Sequence, residues 1–277
     1  MHDLPLPIFI ATHPGAILVE VTEAKGSTPR EVGVFMLVAE TAIWGTIGGG
    51  QFEYMAIDNA RAMLSGGGET VMDIPLGPEI GQCCGGRTRL IFTPMTPALA
   101  EKLESRMKNE EEERPAVYLF GAGHVGQALA RALTPLPFAV TVVETRAEAL
   151  EDLPGNAARH LTAVPEAFVA RIPAGGAAVI LTHDHALDFL IAQRALSRTD
   201  LAYVGMIGSA TKRATFANWL KREGGDEKML SRLVLPIGGS TVRDKRPAVI
   251  AALVAAELLE TCAAREKQGS KRQVPNA

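Results

Sequence analysis

The sequence predicts an α/β protein in two parts: a small N-terminal α+β domain, then a domain built on a doubly wound, mostly parallel sheet. Three observations predict it. Between residues 116 and 144 an apolar, β-branched run meets the turn Gly121-Ala122-Gly123-His124-Val125-Gly126, then a helix-type stretch, then a second apolar run ending on Glu144. Beyond residue 158 strand-type and helix-type stretches alternate, the pattern of parallel βαβ units. Before residue 97 short strand-type runs flank one helical stretch, and three loops carry glycines beside charged, hydroxyl or thiol side chains.

The first observation is a dinucleotide-binding fingerprint in its required strand, turn, helix, strand context, and it makes the second domain Rossmann-like. Gly121 allows the tight turn, Gly123 removes a side chain so that N–H groups can approach a phosphate, and Gly126 lets helix and strand pack closely. The helix start adds unpaired N–H groups and a positive dipole end. Glu144 stands where an acid accepts hydrogen bonds from a ribose diol. Residues 158–163 read as the third strand, 165–171 as a short helix, and 177–182 as a buried strand ending on His183-Asp184-His185. Ligands of such sheets lie beyond the carboxyl ends of the strands, which puts His183 and Asp184 at the same rim as Gly123. Two histidines around an aspartate suit a polar loop, a pterin or nucleotide contact, or a metal, and no third ligand follows from the spacing.

Residues 186–196 read as helical and 201–204 as the next strand, which leads into Gly205-Met206-Ile207-Gly208-Ser209. A helix starting near Ser209 brings Ser209, Lys212 and Arg213 to that rim. Residues 233–235 are a short last strand. The final helix begins near Pro247, and from residue 248 to 259 its only charge is Glu257. A helix so nearly apolar predicts burial, an ion-paired Glu257, and a symmetric homodimer to supply cover.

In the first domain residues 16–21, 32–38, 43–47, 70–74 and 87–92 read as strands. Phe52, Met55, Ala56, Ala60, Met63 and Leu64 recur at helical spacing, and Gly66-Gly67-Gly68 ends that helix. Gly48-Gly49-Gly50 before it is a second potential anion site by the same helix-terminus argument. Glu53, in the first turn, either complements the dipole or touches a ligand. Cys84 beside Gly85-Gly86 is either an accessible thiolate, able to act as a nucleophile or soft metal ligand, or a small buried thiol. Lys25 and Arg30 bring cations to the turn Lys25-Gly26-Ser27-Thr28-Pro29-Arg30. Residues 97–108 look like a connecting helix and Glu110 to Glu113 like a solvated acidic run, so 97–114 is a linker between domains 1–96 and 115–262. The polar, basic stretch 263–277 reads as a disordered tail.

The whole chain has 277 residues, with 28 Lys and Arg against 31 Asp and Glu and a formal charge of −3. That balance argues against a nucleic-acid-binding surface. No apolar run reaches membrane-spanning length on this reading, and the N-terminus, with Asp3, three prolines and His13, does not read as a signal peptide. A cytoplasmic protein without a membrane partner is expected. Three cysteines, two of them adjacent, are not a disulfide framework.

These motifs in this order resemble the XdhC/CoxI family of accessory proteins for xanthine dehydrogenase and related molybdenum hydroxylases. The matching residues are Gly26-Ser27-Thr28-Pro29-Arg30, Gly45-x-Ile47-Gly48-Gly49-Gly50-x-x-Glu53, Cys84-Gly85-Gly86, Phe120-Gly121-Ala122-Gly123-His124-Val125, Thr182-His183-Asp184 and Gly205-x-x-Gly208-Ser209-x-x-Lys212-Arg213. The resemblance covers about Gly15 to Leu259. It implies a chaperone, without turnover chemistry of its own, that binds molybdenum cofactor in its molybdopterin form and shields it. It further implies hand-over of the sulfurated cofactor to an apo-xanthine dehydrogenase or related molybdenum hydroxylase, with a cysteine desulfurase as sulfur donor. It carries cofactor contacts to Gly48, Gly49, Gly50, Glu53, Cys84, Gly85, Gly86, Gly121, Gly123, His124, Gly126, Glu144, Arg146, His183, Asp184, Gly208 and Ser209, and a molybdenum or sulfur contact to Cys84. Departures are Glu144 where the family more often has Asp before x-Arg (here Arg146), the extra Cys83, and Gly239-Ser240-Thr241 after Pro236-Ile237-Gly238. The competing readings are a nicotinamide-dependent oxidoreductase, which lacks an evident Tyr-x-x-x-Lys pair here, and a nucleotide-sensing module at the Rossmann site.

Overall fold

The computed structural model describes residues 4–78, 85–239 and 241–272, with side chains to residue 264. The chain divides into two compact units, Met1–Glu110 and Glu111–Ala277.

The first unit is an antiparallel sheet covered on both faces. Its strands are β1 (Ile17–Lys25), β2 (Phe35–Val38), β3 (Ile43–Gly45), β4 (Val71–Pro75) and β5 (Arg87–Pro94), in the order β3-β2-β1-β5-β4. Side chains alternate between the faces, as strand geometry requires. Ile17, Val19 and Val21 point to one face with Met36, Leu90 and Phe92, where helix α2 (Gly50–Leu64) inserts Phe52, Ala56, Ile57 and Ala60. Leu18, Phe35 and Leu37 point to the other, covered by α1 (Leu6–Thr12) and α3 (Pro97–Glu112). Leu64 falls at the exposed end of α2 rather than in its buried stripe. The sequence reading did not anticipate α1, a single short helix opened by Pro5. The acids Glu110 to Glu112 form the last turn of α3, whose Leu103 is buried in the first unit's core. Arg106 ties the same helix to the sheet: it donates to Glu20 at 3.1 Å and to the Gly33 carbonyl at 2.6 Å, and lies over the Phe35 ring.

The second unit is a parallel sheet of β6 (Ala116–Phe120), β7 (Ala139–Glu144), β8 (Ala158–Leu161), β9 (Ala177–Ile180), β10 (Tyr203–Met206) and β11 (Leu233–Val234). Its order is β8-β7-β6-β9-β10-β11, that is 3-2-1-4-5-6 counted within the unit, so the chain reverses direction across the sheet between β6 and β9. Val117, Leu119, Val142 and Val179 face α4 (His124–Leu133) and α8 (Pro247–Arg272). Phe120, Val143, Ala178 and Ile180 face α5 (His185–Ser197) and α6 (Ala210–Arg222). The inner strands β9 and β10 are buried at every residue because helices cover both faces, which is what makes the sheet doubly wound. A short α7 (Glu227–Ser231) precedes β11.

Helix α8 corrects four expectations. Only one stripe of it, with Ala251, Val254, Ala255 and Leu258, is buried; Ala248, Ala252, Ala256 and Leu259 are exposed. Alanine presents little apolar area, so a helix that reads apolar all round tolerates a wet face. Residues 247–264 also reach spanning length and hydropathy, 18 residues at a mean of 1.7 with Glu257 and Glu260 as the charges, contrary to the expectation of no such run. Residues 263–272 continue the helix instead of forming a loose tail. Glu257 has no ion-pair partner among the described residues: its carboxylate accepts a 2.7 Å hydrogen bond from the Tyr203 hydroxyl, whose pKa is raised by burial first and by this carboxylate second.

Candidate functional site

The rim of the second unit is built where β6 and β9 part. Gly121 follows β6 at φ 116°, and a Cβ there would stand 2.5 Å from the Leu181 carbonyl oxygen at the end of β9. A Cβ at Gly126 would stand 2.1 Å from the Gly121 oxygen. Both positions are closed to a side chain by backbone. Gly123 is different: nothing lies within 4 Å of where its Cβ would be. It is the N-cap of α4, and the N–H groups of His124, Val125 and Gly126 have no acceptor among the described residues. An open space faced by three such N–H groups is the geometry that receives a phosphate.

Glu144 does not reach into that space. It is 3% exposed, and its Oε2 accepts from the Ala122 N–H at 2.8 Å and from Arg146 Nη2 at 3.1 Å. Its Oε1 accepts from the Thr145 N–H at 2.8 Å, the Thr145 hydroxyl at 3.1 Å, and the Arg146 N–H and Nε. Burial would raise its pKa, but Arg146 and these N–H groups outweigh burial and hold it at about 2. A carboxylate has about four lone-pair directions, and here protein donors fill them. The ribose-diol role expected of Glu144 is therefore occupied within the chain, and Arg146 is its counter-ion.

Asp184 caps α5, accepting from the N–H groups of Ala186 at 2.7 Å and Leu187 at 3.3 Å. His183 is exposed beside it. Ser209 caps α6, accepting from the Lys212 N–H at 3.3 Å, and Gly208 is held close to Lys212 and Leu235. Arg213 donates to the carbonyls of Leu233, Leu235 and Leu230, which occupies its guanidinium in tying α6 to β11.

Asp188 was missed by the sequence reading. It is fully buried, bonded to Lys212 Nζ at 2.5 Å, to the Thr182 hydroxyl at 2.6 Å and to the Thr182 N–H at 3.1 Å. Lys212 also donates to the Ile207 carbonyl at 3.0 Å. The pair fastens the ends of β9 and β10 together beneath the rim. The signal was present: an acid amid Ala186, Leu187, Phe189 and Leu190, one turn into an apolar helix.

In the first unit three loops converge. A Cβ on Gly86 would meet the Ser27 carbonyl oxygen at 2.1 Å and the Lys25 oxygen at 2.8 Å, and Gly85 bridges to Ser27. A Cβ on Gly48 would meet Pro29 Cβ at 2.5 Å. The turn 25–30 is thus clasped by the 46–50 loop on one side and by Gly85-Gly86 on the other. Gly48, Gly49 and Gly50 all adopt positive φ. The donors of this loop turn inward: Glu53 Oε2 accepts from the Thr46 hydroxyl, from the Ile47 N–H at 2.9 Å and from the Gly49 N–H at 3.1 Å. Burial opposes its ionisation, and these hydrogen bonds overcome it to hold its carboxyl below the usual range. Lys25 pairs with Glu23, whereas Arg30 has no charge partner among the described residues. Thr88, two residues past Gly86, has a buried hydroxyl without a partner among the described residues. Cys84, and Cys83 with it, lie outside the described residues. Among the described residues no three His, Cys, Asp or Glu side chains gather as metal ligands.

Fold and rim define a Rossmann-type unit and an α+β unit with convergent glycine loops. The chain belongs to the XdhC and CoxI family: the XdhC Rossmann domain matches residues 117–258, and the XdhC and CoxI family domain matches residues 10–75. A curated relative, the uncharacterized protein YqeB of Escherichia coli K12, is 27% identical over 263 residues, which span 88% of this chain but 43% of that protein. A crystal structure described as a xanthine dehydrogenase from Bacillus halodurans superposes with a TM-score of 0.78 at 17% identity, over 96% of this chain and 97% of that one. At that identity the superposition shows a shared fold.

Proposed function

We propose that this chain binds molybdenum cofactor in its molybdopterin form, protects it, and passes it in sulfurated form to an apo-xanthine dehydrogenase or related molybdenum hydroxylase. A cysteine desulfurase supplies the sulfur in this reading. At the coarser level, membership of the XdhC family ties the chain to xanthine dehydrogenase maturation.

The observation that carries the finer reading is the start of α4. Open space at Gly123 and three N–H groups without an acceptor among the described residues suit the cofactor's anionic phosphate. The group itself would supply a dithiolene-held molybdenum, whose oxo and sulfido ligands favour soft or hydrogen-bonding neighbours away from water. Cys84 is the thiolate proposed for that end. Each residue is assigned to binding, orientation or shielding, none to a bond-making step, so the chain acts as a carrier. A nicotinamide-dependent dehydrogenase reading is disfavoured by Glu144, whose acceptor positions are filled by Ala122, Thr145 and Arg146.

The test is co-elution. The chain is incubated with cofactor released from a molybdoenzyme and then gel-filtered, and the retained pterin is measured by fluorescence after oxidation. The parent chain retains cofactor, and Gly123→Val loses about tenfold or more in affinity with an unchanged thermal melt. Cys84→Ala binds less cofactor and reconstitutes apo-dehydrogenase poorly, whereas Cys83→Ala does less. No retention by the parent chain would sink the proposal, and parental affinity in Cys84→Ala would remove the thiolate from it.

A further inference from the structure

The second unit holds a cavity the family reading does not use. It lies past the carboxyl ends of β10 and β11, with a volume of about 440 Å³, and is lined by Ile207, Ile237, Ile250, Leu253, Arg243 and Lys245 among others. Ile237 is buried, and Gly238 packs so closely on α8 that a Cβ there would lie 3.2 Å from Leu253 Cβ. One wall is therefore aliphatic and firmly backed. Gly238 and Gly239 have φ of 75° and 68°, and their N–H groups and that of Gly208 have no acceptor among the described residues.

The charge at the mouth is one-sided. Asp244 is claimed by Arg246, which donates to it from Nε at 2.8 Å, Nη2 at 2.6 Å and its backbone N–H at 2.9 Å. That leaves Arg243 and Lys245 as two exposed cations with no charge partner among the described residues, both lining the cavity. Two cations and backbone N–H groups beside a flat aliphatic wall fit a phosphate attached to an apolar-faced ring. A free phosphate would leave Ile207, Ile237, Ile250 and Leu253 facing water. Strands of a sheet lie about 4.8 Å apart, so β10 and β11 are about 10 and 14 Å from β6. The cavity is thus a different phosphate position from the turn at Gly123.

We infer that this cavity is a nucleotide subsite: it takes a nucleoside monophosphate group, the phosphate on Arg243, Lys245 and the glycine N–H groups, the base against the aliphatic wall. The inference does not depend on molybdenum cofactor binding.

Calorimetry of the full chain with AMP, GMP and CMP, and with inorganic phosphate, tests it. At least one nucleotide binds the parent chain with a Kd below about 1 mM, and inorganic phosphate binds about tenfold or more weakly. Arg243→Ala with Lys245→Ala lowers nucleotide affinity about tenfold or more, because two charge-assisted contacts go. Both side chains are exposed and have no charge partner among the described residues, so the melt is unchanged. Val242→Asp, at an exposed lining position, weakens binding by adding a like charge. Gly123→Val leaves nucleotide affinity as it was. Four results would each overturn the inference: no monophosphate binds the parent; the double variant and Val242→Asp bind as the parent does; inorganic phosphate matches the nucleotides; or Gly123→Val abolishes nucleotide binding.

Discussion

Two glycine turns open helices in this chain, and each is met by a glutamate from the chain itself. At the first, Glu53 sits inside α2 and reaches back to the N–H groups of Ile47 and Gly49. At the second, Glu144 ends β7, a neighbouring strand, and takes the N–H of Ala122 alone among the turn residues. The difference decides what each turn can do. In the first, an internal anion already holds the loop donors. In the second, the glutamate fixes the shoulder of the turn, and the N–H groups of His124, Val125 and Gly126 have no acceptor among the described residues. A glycine turn before a helix is an anion site only where the chain does not bring its own anion to the same donors. The second turn is also propped from below, since Asp188 holds the N–H of Thr182, next to the Leu181 carbonyl against which Gly121 leans. The first has no buried ion pair of this kind among the described residues.

Five substitutions sharpen or break this comparison. The largest effect is expected from Asp188→Ala, which leaves Lys212, 10% exposed, as a buried cation without its partner. A loss of about 3–5 kcal/mol is expected in urea unfolding of the second unit. A loss below about 1 kcal/mol would show that the pair does not prop the rim.

Gly126→Ala comes next, at about 3 kcal/mol, because its Cβ would press on the Gly121 oxygen and the backbone must shift. Gly123→Ala, with φ −69° and open space, should cost less than about 0.5 kcal/mol. Equal unfolding midpoints for the two variants would end the assignment of separate roles to the glycines.

Glu144→Gln removes the charge from a carboxylate held at about 2 against an ordinary 4.5, and should cost about 2–3 kcal/mol at neutral pH. A carboxyl whose folded pKa is lowered stabilises the fold above its unfolded pKa and loses that contribution as pH falls. The parent's advantage over Glu144→Gln should thus be full above about pH 5 and fade between pH 4.5 and about 2. A constant difference across that window would rule out an ionised Glu144 as the source.

Glu53→Gln is the smallest, about 1 kcal/mol, since its carboxyl is partly solvated and the amide oxygen still accepts from the loop. Its direction with pH is the same. A loss as large as that of Glu144→Gln would erase the contrast between the two turns.

Strand β6, the turn, helix α4 and strand β7 were legible in the sequence because each is a local pattern: apolar, β-branched runs, glycines at fixed spacing, helix-type residues after them. The rim positions of Asp184 and Ser209 were legible by the same means, whereas their capping of α5 and α6 was not. Boundaries were less legible. Strand 43–47 stops at Gly45, whose φ of 77° leaves the pleat, and α1 was too short to show a period. Helix α8 misled because hydropathy counts its alanines as core while packing leaves half of them wet.

By itself, then, the sequence determined the two-part α/β architecture, the doubly wound, mostly parallel character of the second sheet and the rim at which Gly123 stands. Those follow from repeating patterns along neighbouring residues. Only the tertiary structure decided which polar groups at the rim are free. Glu144 meets Ala122 across 22 residues, Asp188 meets Lys212 across 24, and Gly86 meets the 25–27 turn across about 60. A hydrogen-bond donor carries no mark in the sequence of whether a distant side chain will claim it, because that depends on how separate elements pack.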